Sequence, residues 1–152
     1  MAEKKIRESD IIFEMHKYFY ASGFIYHSPT QKILLQRTTS SSDTSFDFFS
    51  GKGYGNDDPA AVFQKVIQDQ LGIVIPLETI IPVYDYTPED LQRKCCILYA
   101  DIATLGEPDD FEKTNNAQWF TSKQLSKLKL PRQTEHDITI GQRVIRAESP
   151  QT

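Results

Sequence analysis

Between residues 51 and 72 the chain leaves its backbone few choices. Gly51-Lys52-Gly53-Tyr54-Gly55 places three glycines in five positions, a density that signals a sharply bent backbone because glycine enters positive-φ conformations at no steric cost. Asp58-Pro59 follows. An aspartate can cap free helical amides and a proline suits the first helical position, so a helix is expected from here to about Leu71. Gly72 stands where a left-handed C-terminal cap is expected, with β-branched Ile73-Val74-Ile75 after it. A glycine-rich segment that runs onto a helix N-terminus either presents backbone amides to a phosphate or only serves tight bends.

Mixed α and β elements flank this segment. Asp10 to Phe19 spaces Ile11, Ile12, Met15 and Phe19 as a short leading helix. Tyr18 to Tyr26 and Gln31 to Arg37, joined by Ser28-Pro29-Thr30, read as an antiparallel hairpin. Thr38 to Thr44 is a polar loop, and Phe46 to Phe49 is strand-like. Thr79 to Tyr86 and Lys94 to Thr104 suggest a second hairpin across Pro88-Glu89-Asp90, a charged turn that can hold a short helical piece. Ala117 to Phe120 is a short strand leading to Thr121, a cap for a helix through Leu128. The spacing of Ile138, Gly141, Val144 and Ile145 predicts a last helix over Thr134 to Arg146. Neither a repeat nor a domain linker interrupts the pattern, so one domain is expected over residues 1–152: an N-terminal extension of 1–17, a core of about 18–146 and a frayed tail from 148.

Composition narrows the class of partners. Hydrophobic residues at 39% and charged residues at 25% suit a packed interior. A net charge of −4 with no dense basic run disfavours duplex nucleic acid. Apolar stretches fall far short of the roughly 20 residues of a membrane span, and the first residues lack a secretory signal, so a soluble cytoplasmic chain without a membrane partner is expected. Cys95 and Cys96 are adjacent, so on a strand one enters the core and the other faces out. His16, His27 and His136 show no metal-ligand spacing.

Residues Gly51 to Ile73 resemble the Nudix box. The family pattern is a glycine, five residues, glutamate, seven residues, Arg-Glu, an aliphatic, any residue, Glu-Glu, any residue, glycine and an aliphatic. Here Gly51, Ile67, Gly72 and Ile73 match, Asp57 and Asp69 keep an acid, and Lys65 keeps the cation. Trp119-Phe120-Thr121 with Gln124-Leu125 resembles the family's late strand-to-helix signature, so the likeness extends over about Tyr18 to Ile145. The resemblance implies an α/β fold, specifically an α/β/α sandwich with a mixed central sheet. It also implies a hydrolase of nucleoside-diphosphate-linked substrates that uses Mg or Mn.

The box is degenerate where the chemistry lies. In the Arg-Glu-aliphatic-any-Glu-Glu core, Val66 and Gln70 stand at two of the three glutamate positions, and Asp69 is the core's remaining acid. Positions 66, 69 and 70 share a helical face, and a hard divalent cation needs oxygen ligands that valine lacks. By resemblance, Asp69, Gln70 and Lys65 are the candidate catalytic residues, and Gly51, Lys52 and Gly53 the candidate substrate-binding ones. Asp69, Asp57 and a distant acid such as Glu112 are the candidate metal ligands. Plain alternatives stand beside them: Asp57 and Asp58 as helix caps, Lys65 and Lys52 as solvated cations, Glu112 as a surface acid, the glycines as bends. Two functions therefore remain open. One is an impaired hydrolase with Mg or Mn. The other is a non-catalytic module with no cofactor, in which Val62 and Val66 form an apolar patch and the partner is a nucleotide or a protein. Either is compatible with a homodimer.

Overall fold

A computed structural model describes residues 17–39, 44–88, 93–112, 114 and 116–148. Seven strands form one mixed sheet: β1 (Tyr18–His27), β2 (Lys32–Thr39), β3 (Thr44–Asp47), β4 (Phe49–Tyr54), β5 (Ile80–Tyr86), β6 (Cys95–Asp101) and β7 (Ala117–Phe120). Among the described residues three helices accompany it: α1 (Pro59–Leu71), the short α2 (Ser122–Leu125) and α3 (Arg132–Glu148). Single 3-10 turns lie at Leu77–Thr79 and Pro108–Phe111.

Strand β1 organises the sheet. Along one edge it runs parallel to β6, from Tyr20 opposite Cys95 to Tyr26 opposite Asp101. Its other edge is shared between two antiparallel partners, β4 over Tyr18 to Gly23 and β2 over Ile25 to His27. Strand β2 continues onto β3 on one side and β7 on the other, while β5 pairs antiparallel with β6 at the far end of the order.

Alternation of side chains along these strands divides the core in two. On one face Phe63, Ile67 and Leu71 of α1, one helical turn apart, pack on Ala21, Ile25, Leu34, Phe49 and Leu98. Each such buried side chain contributes about 1.5–3 kcal/mol of transfer free energy. On the other face Leu125, Ile138 and Ile145 pack on Phe24, Ile33, Leu35, Ile97 and Phe120. Cys96 enters the first cluster and Cys95 faces the other way, partly exposed, as their adjacency requires.

Both expected hairpins form, and the strand at Ala117 to Phe120 stands as read. Several local expectations do not hold. Tyr18 and Phe19 belong to β1 and not to a leading helix, because aromatic side chains suit a pleated surface and both residues find ladder partners in β4; residues 10–16 lie outside the described ones. Gly51 and Gly53 sit inside β4 and are not a bent loop, leaving the turn to Gly55, with φ 56°. The run through Phe48 breaks there into β3 and β4. The helix after Thr121 stops at Leu125, and the last helix starts earlier and runs later than its apolar spacing shows. The helical piece near Pro88-Glu89-Asp90 falls largely outside the described residues.

Candidate functional site

Helix α1 begins and ends on local signals. The Asp58 carboxylate accepts the Ala60 amide at 3.1 Å, Pro59 occupies the first turn, and Gly72 closes the helix at φ 71°. What seats the helix on the sheet is the absence of side chains beneath it. A Cβ at Gly51 would lie 2.4 Å from Val66 Cγ2, and one at Gly53 would lie 2.8 Å from Val62 Cγ2 and 2.3 Å from the Phe19 ring. Strand β4 therefore carries glycine at alternate positions so that two valines of α1 can rest directly on its backbone.

A cleft of about 400 Å³ opens beside this contact, lined by Gly51, Lys52, Asp57, Val62, Val66 and Asp69 among others. It gathers most of the candidate residues, each with a local partner. Asp69 is 3.7 Å from Lys65 one turn earlier, both well exposed. Asp57 accepts the Tyr54 amide at 2.9 Å and so closes the turn before the helix. Lys52 borders the cleft, but its ammonium lies over the Tyr18 ring on the opposite face of the sheet, 4.5 Å from the ring centre. Two further candidates are directed elsewhere. Gln70 accepts from Gln36 Nε2 at 3.1 Å while its main-chain carbonyl accepts from Asn116. Glu112 accepts the Trp119 amide at 2.9 Å and lines a separate cleft with Lys32, Arg37 and Gln118.

The opposite face of the sheet holds a second cleft, of about 270 Å³, where α3 meets β1, β3, β4, β5 and β6. Asp137 is buried in its wall, accepting from the Tyr84 hydroxyl and from Gln133 Nε2 at 3.0 Å. Asp47 accepts from Thr134 at 2.6 Å and from the Phe48 amide at 2.7 Å, and Ser22 bonds Ser50 at 2.6 Å. The Tyr84 and Tyr86 rings stack at 5.4 Å, in line with their shared side of β5. Burial raises both phenols well above the ordinary tyrosine value. Tyr84 is raised further by its hydrogen bond to Asp137 and by that residue's charge, and Tyr86 by the Asp137 charge and by Cys95. Both remain hydrogen-bond donors at neutral pH. Sequence reading missed this cleft. Apart from the shared side of Tyr84 and Tyr86, no spacing marks it, since its walls come from distant segments.

Neither a family model nor a curated protein matches this sequence. Solved structures do. A MutT structure from work on Aliivibrio salmonicida and Vibrio cholerae superposes with a TM-score of 0.62 at 14% identity, over 86% of this chain and 98% of that one. A MutT/Nudix family protein from Listeria innocua gives 0.57 at 12%, over 86% and 93%. The C-terminal domain of mouse MUTYH, solved with human PCNA, gives 0.61 at 10%, over 90% and 95%. The chain has the Nudix fold.

Within the Nudix fold, α1 and the end of β4 are the segment that resembles the box, and the expected α/β architecture with a mixed sheet is the one observed. Divalent metals are general among Nudix hydrolases, so the donor set needs testing against one. Among the described residues no three Asp, Glu, His or Cys side chains gather as an ion's ligands would. The cleft offers Asp69 facing Lys65, Asp57 and Asp58 holding backbone amides, and Val66 at the position of the glutamate that follows the box arginine. A hard cation takes six or more oxygens, and these residues do not fit one.

Proposed function

We propose that this chain is a non-catalytic Nudix-fold module that binds a nucleotide. One observation carries the reading: Val66 stands at a box glutamate position with its methyl group seated on Gly51. A glutamate's function there is replaced by packing. Support for a nucleotide comes from the second cleft, where an apolar floor of Phe48 and Ile97 lies beside the Ser22 and Ser50 hydroxyls, the Tyr86 phenol and the Asp47 and Asp137 carboxylates. That combination of an apolar slot with a few convergent polar groups suits a planar heterocycle carrying N–H and hydroxyl groups.

Thermal shift and phosphate release on a panel of nucleoside mono-, di- and triphosphates, with and without Mg or Mn, test the reading. The expected result is stabilisation by at least one nucleotide, independent of metal, abolished in Thr134→Val and accompanied by no turnover. Ligand at about a hundred times its dissociation constant stabilises by about 2.7 kcal/mol, which a melting curve resolves. Metal-dependent turnover that disappears in Asp69→Asn would return the chain to the hydrolases.

A further inference from the structure

The face of the sheet that carries the second cleft continues beyond it as a strip of aromatic and basic side chains. Strand register places Lys52 of β4, Tyr20 of β1, Cys95 of β6 and Tyr86 of β5 in one row. Tyr54 and Tyr18 make the next row on the same side. At about 4.8 Å per strand, the first row spans about 14 Å. The row on its other side, Ser50, Ser22, Ile97 and Tyr84, is where the cleft begins.

Charge is distributed unevenly along this strip. Arg93 and Lys52 both converge on the Tyr18 ring, at 4.3 Å and 4.5 Å from its centre, and Lys52 also lies 6.0 Å from that of Tyr20. Neither cation makes an ion pair among the described residues, whose pairs are Lys65 with Asp69 and Lys94 with Asp85. Of the carboxylates on this face, Asp47 and Asp137 stand at the cleft end and are engaged by Thr134, Tyr84 and Gln133, while Asp101 lies at the far end of the β1–β6 ladder. Tyr18 therefore holds two cations that form no ion pair among the described residues. Tyr54, 52% exposed, and the partly exposed Tyr20 and Tyr86 present rings beside them.

We infer that this strip is a docking surface for single-stranded nucleic acid. Bases stack on Tyr54, Tyr20 and Tyr86, and the backbone phosphates follow Lys52 and Arg93. Every base has a π-face, so a row of rings with adjoining cations binds a strand without needing its sequence. A free nucleotide uses one ring and one cationic point, whereas here the rings are spread across three strands of the sheet. About four stacked nucleotides at a rise of ~3.4 Å match the row. A duplex hides its base faces inside the stack and cannot use the rings. The inference rests on the proposed nucleotide reading and extends the ligand from a monomer to a chain.

Fluorescence anisotropy of labelled oligo-U and oligo-dT decamers with the full chain tests it, alongside a hairpin duplex and the free mononucleotides. The decamers are expected to bind more tightly than either, with affinity falling as salt rises. Lys52→Gln and Arg93→Gln should each lower the log–log salt slope by about 0.7. Tyr54→Ala, at an exposed position that the fold tolerates, should weaken binding by about five-fold or more. Mononucleotide binding without decamer binding overturns the inference and leaves the nucleotide module intact. Decamer binding unchanged in all three variants, or matched by the hairpin, also overturns it. If neither monomer nor decamer binds, both readings fall.

Discussion

The contact between Gly51 and Val66 makes a prediction that can be worked through from geometry. Gly51 has no positive φ, so an alanine there meets no backbone strain and its whole cost is steric. Its Cβ would stand 2.4 Å from Val66 Cγ2, where ordinary contact begins at 3.4 Å, so β4 and α1 must separate by about 1 Å. Valine cannot swing aside, because one χ1 rotamer dominates for β-branched residues in a helix. Overpacking of this kind costs about 1–3 kcal/mol. Val66→Ala alone removes two half-buried methyl groups and costs about 1 kcal/mol. In the double variant the clashing methyl group is gone, so the loss should be about 1 kcal/mol and not the sum of about 2–4. A urea-unfolding double-mutant cycle should therefore show a coupling of about 1–3 kcal/mol. Additivity to within about 0.5 kcal/mol would mean that the two positions do not touch, and the argument that packing has replaced a glutamate at position 66 would be refuted.

Two further outcomes follow from the second cleft and its neighbours. Asp137→Ala strands the Tyr84 hydroxyl and the Gln133 amide and should cost about 2–3 kcal/mol in chemical unfolding, with Asp137→Asn milder; equal stability of all three proteins would show that the buried hydrogen bonds contribute nothing. Tyr99, pushed up to about 12 by burial and then by the charges of Glu148 and Asp101, joins Tyr84 and Tyr86 in holding its proton after an unfolded tyrosine has lost its own near 10. Above pH 10 the native state binds more protons than the unfolded state, so stability should be full below that pH and fall as pH rises through 12; a urea midpoint that is flat or rising from pH 9.5 to 11.5 would contradict this.

How far the sequence disclosed this molecule depends on whether a signal was local. Helix α1 was legible nearly to the residue because Asp58, Pro59 and Gly72 act on the backbone next to them. The hairpins were legible because their turns are short and their strands alternate. Gly51 and Gly53 were misread as a bend, since their glycine character answers to Val66 and Val62 across the interface and not to a turn. The same limit applies to the site. Resemblance to the box named Asp57 and Asp69 as members of one site, and both line one cleft, but the attachment of Gln70 to Gln36 and of Glu112 to Trp119 is tertiary. The cleft that includes Asp47, Tyr86 and Asp137 draws on residues from position 22 to position 137, which no window of sequence contains.

The parallel pairing of β1 with β6 has a consequence for how the protein is made. Tyr20 leaves the ribosome long before Cys95, its partner across the ladder. Until then β1 is complete only on the edge it shares with β4 and β2, and its other edge exposes a row of unpaired amides and carbonyls bordered by aromatic side chains. Closing so long a loop is slow compared with forming either hairpin. The nascent chain should therefore pass through a state in which the strand at the middle of the finished sheet is its most vulnerable edge, and agents that occupy strand edges should find it there and not in the native protein.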